Sequence, residues 1–221
     1  MRRVLDSLTV LLDGNPAAAT TVHRKRAVFY NALGFAVERK PLPANPIDQV
    51  QWTAPEVADA IDRRVVVGPE LARRLIAAVS DTGRRGDHLR VFFACLYFAG
   101  LRPSEAIALR VDNCELPETG WGRLVLTGSE PRAGADWTDD GNPREARELK
   151  RRGTAATRVV PIPLELVAIL REHIAACGIG TQARLFRSES GGPLHETSYY
   201  GAWRKARAAM LSVAQQRSPL V

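Results

Sequence analysis

The stretch LRVFFACLYFAGLRPSEAIALR, residues 89–110, decides how this chain folds. Its first half, residues 89–99, is apolar almost all round, which predicts a helix buried at the centre of a domain. Pro103 suits the first position of a second helix, because its ring fixes φ at a helical value and its missing N–H costs nothing there. Arg102 therefore stands beside the free N–H groups of a helix start, a corner that suits a phosphate or a carboxylate. The alternative is an ordinary surface arginine at the start of a helix.

Apolar periodicity predicts further helices and two strands around this stretch. Val22, Phe29 and Leu33 recur near one face of a long first helix, and Tyr199 and Trp203 belong to a stripe in the last helix, which favours a core position for them. Predicted helices cover residues 17–40, a short segment from 69, 89–99, 103–110, a segment from 163 and 197–213, and predicted strands cover 123–127 and 157–162. The expected fold class is mainly α with a small antiparallel β-sheet (α+β), preceded by a helical remnant.

A run of prolines marks the clearest domain boundary. Pro41, Pro43 and Pro46 end the first long helix and mark a linker. The piece before the linker is too short to enclose a sizeable core, which indicates the end of a helical domain. We therefore assign residues 1–46 to a helical piece plus linker and residues 47–221 to a second domain.

A long polar segment, residues 128–156, separates the two predicted strands. It begins acidic, with Asp136, Asp139 and Asp140, and it ends basic. Structureless connections of this length are uncommon in compact domains, and they are usually functional or disordered. The basic side chains of its second half are Arg144, Arg147, Lys150, Arg151 and Arg152.

The charge balance indicates an acidic polymer as partner. The chain of 221 residues has 31 lysines and arginines against 24 acidic residues, a net charge of +7. Nucleic acid is the commonest such polymer, although many soluble proteins are mildly basic for no specific reason. Arg204 and Lys205 follow the last acidic residue of the chain, Glu196, so the last helix offers either a surface for a phosphate backbone or a solvated basic face.

The cysteines and the apolar segments argue against several classes of protein. Cys95, Cys114 and Cys177 are odd in number, far apart and without a Cys-x-x-Cys pair, which supports neither a zinc site nor a disulfide framework. We therefore expect no metal and no cofactor. The best apolar stretch, residues 91–101, is far shorter than the roughly 20 residues of a membrane span. The N-terminus does not resemble a signal peptide, so the expected compartment is a reducing cytoplasm.

The order of these pieces resembles the tyrosine recombinase, or phage integrase, family. The matching motifs are GLRPSE at residues 100–105, a two-stranded hairpin that carries Lys150, and TRVVPIP at residues 157–163. The sequence LPANP at residues 42–46 resembles the end of the core-binding domain of this family. The acidic-then-basic insert, with Trp-Gly at residues 121–122 before it, is similar to that of actinobacterial integrases. The resemblance covers essentially the whole chain, and its specificity lies in the order and spacing of motifs that are weak singly.

The resemblance implies a DNA strand-breaking activity with named roles for a few residues. Members of the family attack a backbone phosphate with a tyrosine, and fixed cations stabilise the charge that develops there, without a cofactor. Arg102 would be the first phosphate clamp, Lys150 the acid that protonates the leaving 5′ oxygen, and Glu105 a carboxylate that orients the arginine corner. The partner would be double-stranded DNA. Its further contacts would be Arg24, Lys25, Arg26, Arg151, Arg152, Arg158, Arg204 and Lys205.

Two elements of the family pattern do not occur in this sequence. The family requires a His-x-x-Arg motif and a nucleophilic tyrosine after the last predicted helix, and this sequence ends at Val221. The only His-x-x-Arg runs from His23 to Arg26, in the first helix, and it is interpreted as a basic helix face. Tyr199 and Tyr200 lie before the position where the motif belongs, and they match helix core positions better than a nucleophile.

The expected protein is therefore an integrase truncated at both ends and inactive alone. Its expected partners include a full-length integrase or a missing C-terminal fragment, and uncovered apolar surface is expected around Leu211 and Val213. Two other hypotheses remain open at this point. One is a non-catalytic DNA-binding protein that competes for attachment-site DNA, and the other is a basic phosphate-binding or RNA-binding protein without a link to recombination.

Overall fold

A computed structural model describes residues 1–57, 67–149, 156–178 and 180–216 of the chain. The chain divides into two compact units, Met1–Arg63 and Arg64–Val221. The proline run does not end the packing of the first unit, because Ile47 is buried and the indole N–H of Trp52 donates to Asp6 at 2.9 Å. The assignment of residues 1–46 and 47–221 to two domains stays a prediction.

The first unit contains helices α1 (Arg2–Ser7) and α2 (Ala19–Glu38). Leu5 and Val22 are fully buried in it. Helix α2 matches the helix predicted for residues 17–40 and ends before the prolines, because Lys40 adopts a left-handed conformation (φ 69°). This unit holds the predicted helical piece.

The second unit carries six further helices and one small sheet within the described residues. The helices are α3 (Pro69–Ala78), α4 (Gly86–Phe98), α5 (Pro103–Ala108), α6 (Leu164–Cys177), α7 (Glu196–Met210) and α8 (Val213–Gln216). The strands are β1 (Cys114–Glu115), β2 (Gly122–Leu126) and β3 (Arg158–Ile162). The expected mainly helical α+β class is confirmed.

Helix α4 is the central element, as the apolar run in the sequence predicts. Phe92, Ala94 and Cys95 are completely buried, and Phe92 packs edge-on against Phe186 with ring centroids 5.4 Å apart. Burial also raises the pKa of the Cys95 thiol, so this cysteine is a core residue. Such burial on every face requires helices on several sides, and α4 contacts α3, α5, α6 and α7.

Helix α7 ends earlier than the sequence pattern predicts. The predicted helix runs to about Val213, whereas α7 stops at Met210 because Leu211 adopts an extended conformation and turns into the interior. The expectation of uncovered apolar surface is therefore wrong for Leu211. Val213 begins the short helix α8 and is exposed, as expected.

The two predicted strands pair antiparallel, and the polar segment between them forms separate bridges within itself. Leu124 lies opposite Val160, and β1, which the sequence analysis missed, pairs with the other edge of β2. After β2 the chain forms two isolated antiparallel bridges, from Ser129 to Arg147 and from Arg132 to Arg144. The described part of this segment, residues 128–149, therefore has some backbone pairing of its own, and its interpretation as a functional or disordered connection stays a prediction. Lys150, Arg151 and Arg152 lie outside the described residues.

Two histidines are buried between α4 and α6. The rings of His88 and His173 lie 4.9 Å apart, and both pack against Phe186. Burial lowers the pKa of both imidazoles, and that of His88 falls to about 3 with help from His173 and the nearby Arg85. Burial therefore favours the neutral form of both rings.

Among the described residues, no helix has both the length and the hydropathy of a membrane span.

Candidate functional site

Arg102 occupies the cap position before α5, where the sequence predicts it. Its backbone is extended (φ −71°, ψ 149°), and Pro103 takes the first helical position. Glu105 accepts a hydrogen bond from the Arg102 backbone N–H on Oε2 and another from the Arg102 guanidinium Nη1 on Oε1, both at 2.9 Å. One carboxylate therefore caps the helix and fixes the guanidinium that precedes it.

Arg158 completes the cluster from the sheet. It lies on β3, and its Nη2 donates to Oε2 of Glu105 at 2.7 Å. Glu105 is buried, with a side chain only 3% exposed, so its charge is compensated by two arginines in contact with it. The sequence predicts Arg158 as a DNA contact and Glu105 as the partner of Arg102, and the structure brings all three together.

The cluster of Arg102, Glu105 and Arg158 presents positive charge to the surface. Two guanidinium groups and one carboxylate leave one net positive charge, and 59% of the Arg102 side chain is exposed. The Nε and Nη2 edge of Arg102 is free of the two Glu105 contacts and can receive an anion in the bidentate geometry that oxyanions favour. Helix α5 has only six residues, so this attraction comes from the guanidinium groups and little of it from a helix dipole.

A second carboxylate–arginine network braces the cluster and was missed by the sequence analysis. The backbone N–H of Glu130 donates to the carbonyl of Ser104, at the start of α5, at 3.0 Å. The Glu130 carboxylate accepts two hydrogen bonds from Arg184, both 2.9 Å long. Arg184 is buried, and neither it nor Glu130 stands in a motif, so no signal in the sequence pairs them.

The two tyrosines of α7 have different environments. Tyr199 is buried against Phe92, with ring centroids 5.0 Å apart, and burial raises its pKa to about 12. Its interpretation as a core residue is confirmed. The same interpretation is wrong for Tyr200, which is exposed and lines an open apolar cavity of about 410 Å³ together with Pro103 and Trp203.

The other basic residues predicted as DNA contacts are spread over the molecule. Lys205 donates to the carbonyl of Thr82, which precedes the first residue of α4, whereas Arg102 follows the last residue of α4. A helix of 13 residues separates those two ends by about 20 Å. Arg204 is exposed on α7.

Three more of these residues belong to the first unit. Arg24 is exposed on α2, whereas the Lys25 ammonium donates to the carbonyls of Leu8 and Val10 at 3.4 and 3.3 Å. The Arg26 guanidinium lies over the ring of Tyr30, 6.0 Å from its centroid. Lys25 therefore also has a structural contact within its own unit. The geometry leaves the role of all these residues in DNA binding a prediction.

Comparison with solved structures identifies the fold. The chain is similar to the XerH site-specific recombinase bound to its difH substrate, with a TM-score of 0.62 and 12% identity, over 95% of this chain and 52% of that one. It is similar to the integrase of transposon Tn1549 in complex with transposon right end DNA, with a TM-score of 0.63 and 14% identity, over 92% and 64%. A lambda integrase dimer bound to a core site gives a TM-score of 0.55 and 12% identity, over 88% and 47%.

These similarities show that the chain has the fold of the tyrosine recombinases, as the motifs of the sequence predict. It spans about half to two thirds of the length of the structures that it matches. No family model and no curated protein matches the sequence.

Proposed function

We propose that this chain is a site-specific recombinase-type protein that binds the phosphate backbone of duplex DNA. The observation that carries the proposal is the exposed guanidinium of Arg102, which a buried carboxylate fixes in place beside Arg158. An arginine that is held rigid loses little conformational entropy when it grips a phosphate, so its contact is worth more than that of a free surface arginine. The DNA bound by the XerH and Tn1549 proteins of the same fold supports DNA as the polyanion.

The catalytic part of the proposal assigns Arg102 as a phosphate clamp and Glu105 as the residue that positions it. Lys150, which lies outside the described residues, stays the proposed leaving-group acid. Two fixed guanidinium groups would stabilise the negative charge that a phosphate gains during strand breakage.

We also propose that the chain by itself does not break DNA. The single His-x-x-Arg of the sequence, His23 to Arg26, lies on α2 in the first unit, and Tyr199 is buried with a raised pKa. Groups of a catalytic set act as a unit, so a partial set does not give a proportionate rate. A full-length integrase or a C-terminal fragment that carries the remaining motif would be the partner that completes the reaction.

The test is DNA binding by the chain and by two arginine variants. Arg102→Ala removes the proposed clamp, and Arg123→Ala removes a comparably exposed arginine that is ion-paired with Glu115 on the neighbouring strand. We expect Arg102→Ala to weaken binding to duplex DNA about tenfold, uniformly across sequences, and to reduce the salt slope by about 1. Fluorescence anisotropy with a labelled duplex at several salt concentrations measures both quantities.

Arg123→Ala should leave affinity and slope unchanged. An equal loss of DNA affinity in both variants would mean that binding depends only on net charge. Unchanged affinity in Arg102→Ala would show that Arg102 is not a phosphate clamp. Stronger competition by RNA than by duplex DNA would favour an RNA-binding protein. A covalent protein–DNA adduct formed by this chain alone on a nicked duplex would overturn the inactivity.

A further inference from the structure

Two histidines and one cysteine bring three metal-ligating atoms together in the second unit, without a Cys-x-x-Cys pattern. His88 lies on α4, and His173 and Cys177 lie on α6. One ligand atom from each of the three residues lies within 4.8 Å of the other two. From this placement we infer that His88, His173 and Cys177 form a binding site for a borderline-soft divalent cation of the Zn²⁺ type.

Helix geometry explains why α6 supplies two of the ligands. His173 and Cys177 are four residues apart, so their side chains emerge on the same face of α6, one turn apart. Helix α4 packs against that face and contributes His88, whose ring lies 4.9 Å from that of His173. Ligand atoms around a tetrahedral zinc ion are about 3 to 4 Å apart, so small side-chain rotations close the site.

The hydrogen bonds of the two histidines determine which ring nitrogens can bind a metal. His173 Nε2 lies 3.2 Å from the carbonyl of Leu185, which can only accept, so Nε2 carries the proton and Nδ1 keeps a free lone pair. A backbone carbonyl that fixes the tautomer is the usual outer partner of a metal-binding histidine. His88 Nε2 accepts from the backbone N–H of Arg187 at 3.2 Å, so ligation through Nε2 requires this hydrogen bond to break.

The charges around the cluster select the kind of cation. Besides burial, the positive charges of Arg85 and Arg187 lower the pKa of His88, and those of Arg187 and Arg90 lower the pKa of His173. Arg187 also donates to the backbone carbonyl of Cys177 at 2.6 Å. These guanidinium groups oppose a cation that is held by neutral ligands alone, so the site depends on an anionic thiolate ligand from Cys177. A metal that binds imidazole and thiolate strongly suits this set of ligands, whereas Mg²⁺ and Ca²⁺, which prefer oxygen ligands, do not.

The experiment measures metal binding by the intact chain after chelator treatment. Zn²⁺ should bind at one equivalent in isothermal titration calorimetry and should raise the melting temperature by about 5 °C when saturating. Co²⁺ should give the near-ultraviolet sulfur-to-cobalt charge-transfer absorption that only a bound thiolate produces. Mg²⁺ should cause neither change.

Variants separate this site from adventitious binding. Cys177→Ser should abolish the charge-transfer band and weaken Zn²⁺ binding about 100-fold, the share of one ligand in a zinc site. His88→Gln should weaken Zn²⁺ binding only about tenfold, because His88 gives up a hydrogen bond in order to ligate. Cys114→Ser is the matched control and should bind Zn²⁺ as the unchanged protein does.

Two outcomes would overturn the site. One is the lack of Zn²⁺ binding by the unchanged protein at one equivalent. The other is unchanged binding in folded Cys177→Ser, with near-ultraviolet circular dichroism used to confirm the fold. Neither outcome bears on DNA binding through Arg102, which uses other residues.

Discussion

Two carboxylate–arginine clusters of the second unit use the same chemistry with opposite exposure. Glu130 and Arg184 are both nearly enclosed, with side chains 12% and 10% exposed, and they pair through two parallel hydrogen bonds. The side chain of Glu105 is even more enclosed, but that of its partner Arg102 is mostly exposed. In the first pair the two charges compensate each other inside the protein, and the backbone N–H of Glu130 donates to the carbonyl of Ser104. The second leaves a cation directed outward, so the exposure of the arginine separates a structural pair from a candidate binding site.

The largest effect is expected from removal of the carboxylate that the candidate site is built on. Glu105→Ala deletes the partner of two guanidinium groups and the cap of α5, which should lower the free energy of unfolding by about 3–5 kcal/mol. Urea denaturation at constant ionic strength measures this change. Glu118→Ala, which removes an exposed carboxylate, should change it by under about 0.5 kcal/mol. A similar small change in Glu105→Ala would mean that the cluster is not held by its buried charge.

A smaller loss of stability is expected in the enclosed pair. Among the described residues, Arg184→Met leaves Glu130 only the longer contact to Arg110 at 3.7 Å, and this substitution should cost about 3 kcal/mol. The double variant Arg184→Met with Glu130→Gln should recover part of the loss, because no buried charge is then left unpaired. Folded Arg184→Met should bind DNA with unchanged affinity. Weaker binding at equal folded fraction would show that the two clusters are not separate in function.

Arg102→Ala, unlike Arg184→Met, should weaken DNA binding and leave the stability of the protein nearly unchanged. Because most of its side chain is exposed, its loss should change the free energy of unfolding by under about 1 kcal/mol. The expected tenfold loss of DNA affinity would then occur in a protein of nearly unchanged melting temperature. A large drop in melting temperature with unchanged affinity would make Arg102 a structural residue and would end the contrast between the two clusters.

The smallest effect is expected at a pair in which both partners are exposed. The Arg84 guanidinium donates to Glu189 at 2.6 Å, and this hydrogen bond holds the pKa of the Glu189 carboxyl below its ordinary value of 4.5. Since the folded-state pKa is lowered, the contribution of the pair is complete above pH 4.5 and disappears as the pH falls through the lowered value. NMR titration of Glu189 should show the low midpoint, and Arg84→Ala should move it up towards 4.5. An unmoved midpoint would assign the shift to another group.

Local pattern predicted the elements of this fold well and the partners of its side chains only in part. Helix α4, the start of α5 and strands β2 and β3 follow from periodicity and from Pro103, because those signals act within one turn or one strand. Strand β1 has only two residues, too few to show alternation. The bridges from Ser129 to Arg147 and from Arg132 to Arg144 were not predicted, because the polar side chains there show no apolar period, whereas the backbone pairs regardless of side chain.

The sequence by itself determined where Arg102 stands and which residue caps its helix, since Glu105 is only three positions away on the same turn. Tertiary structure decided everything that joins distant positions. It pairs Arg158 with Glu105 and Arg184 with Glu130 through hydrogen bonds. It also brings the ring of His88 on α4 next to that of His173 on α6. The physical reason is that these partners come from elements that meet only through the packing of the core, where burial forces charged and polar groups to find one another.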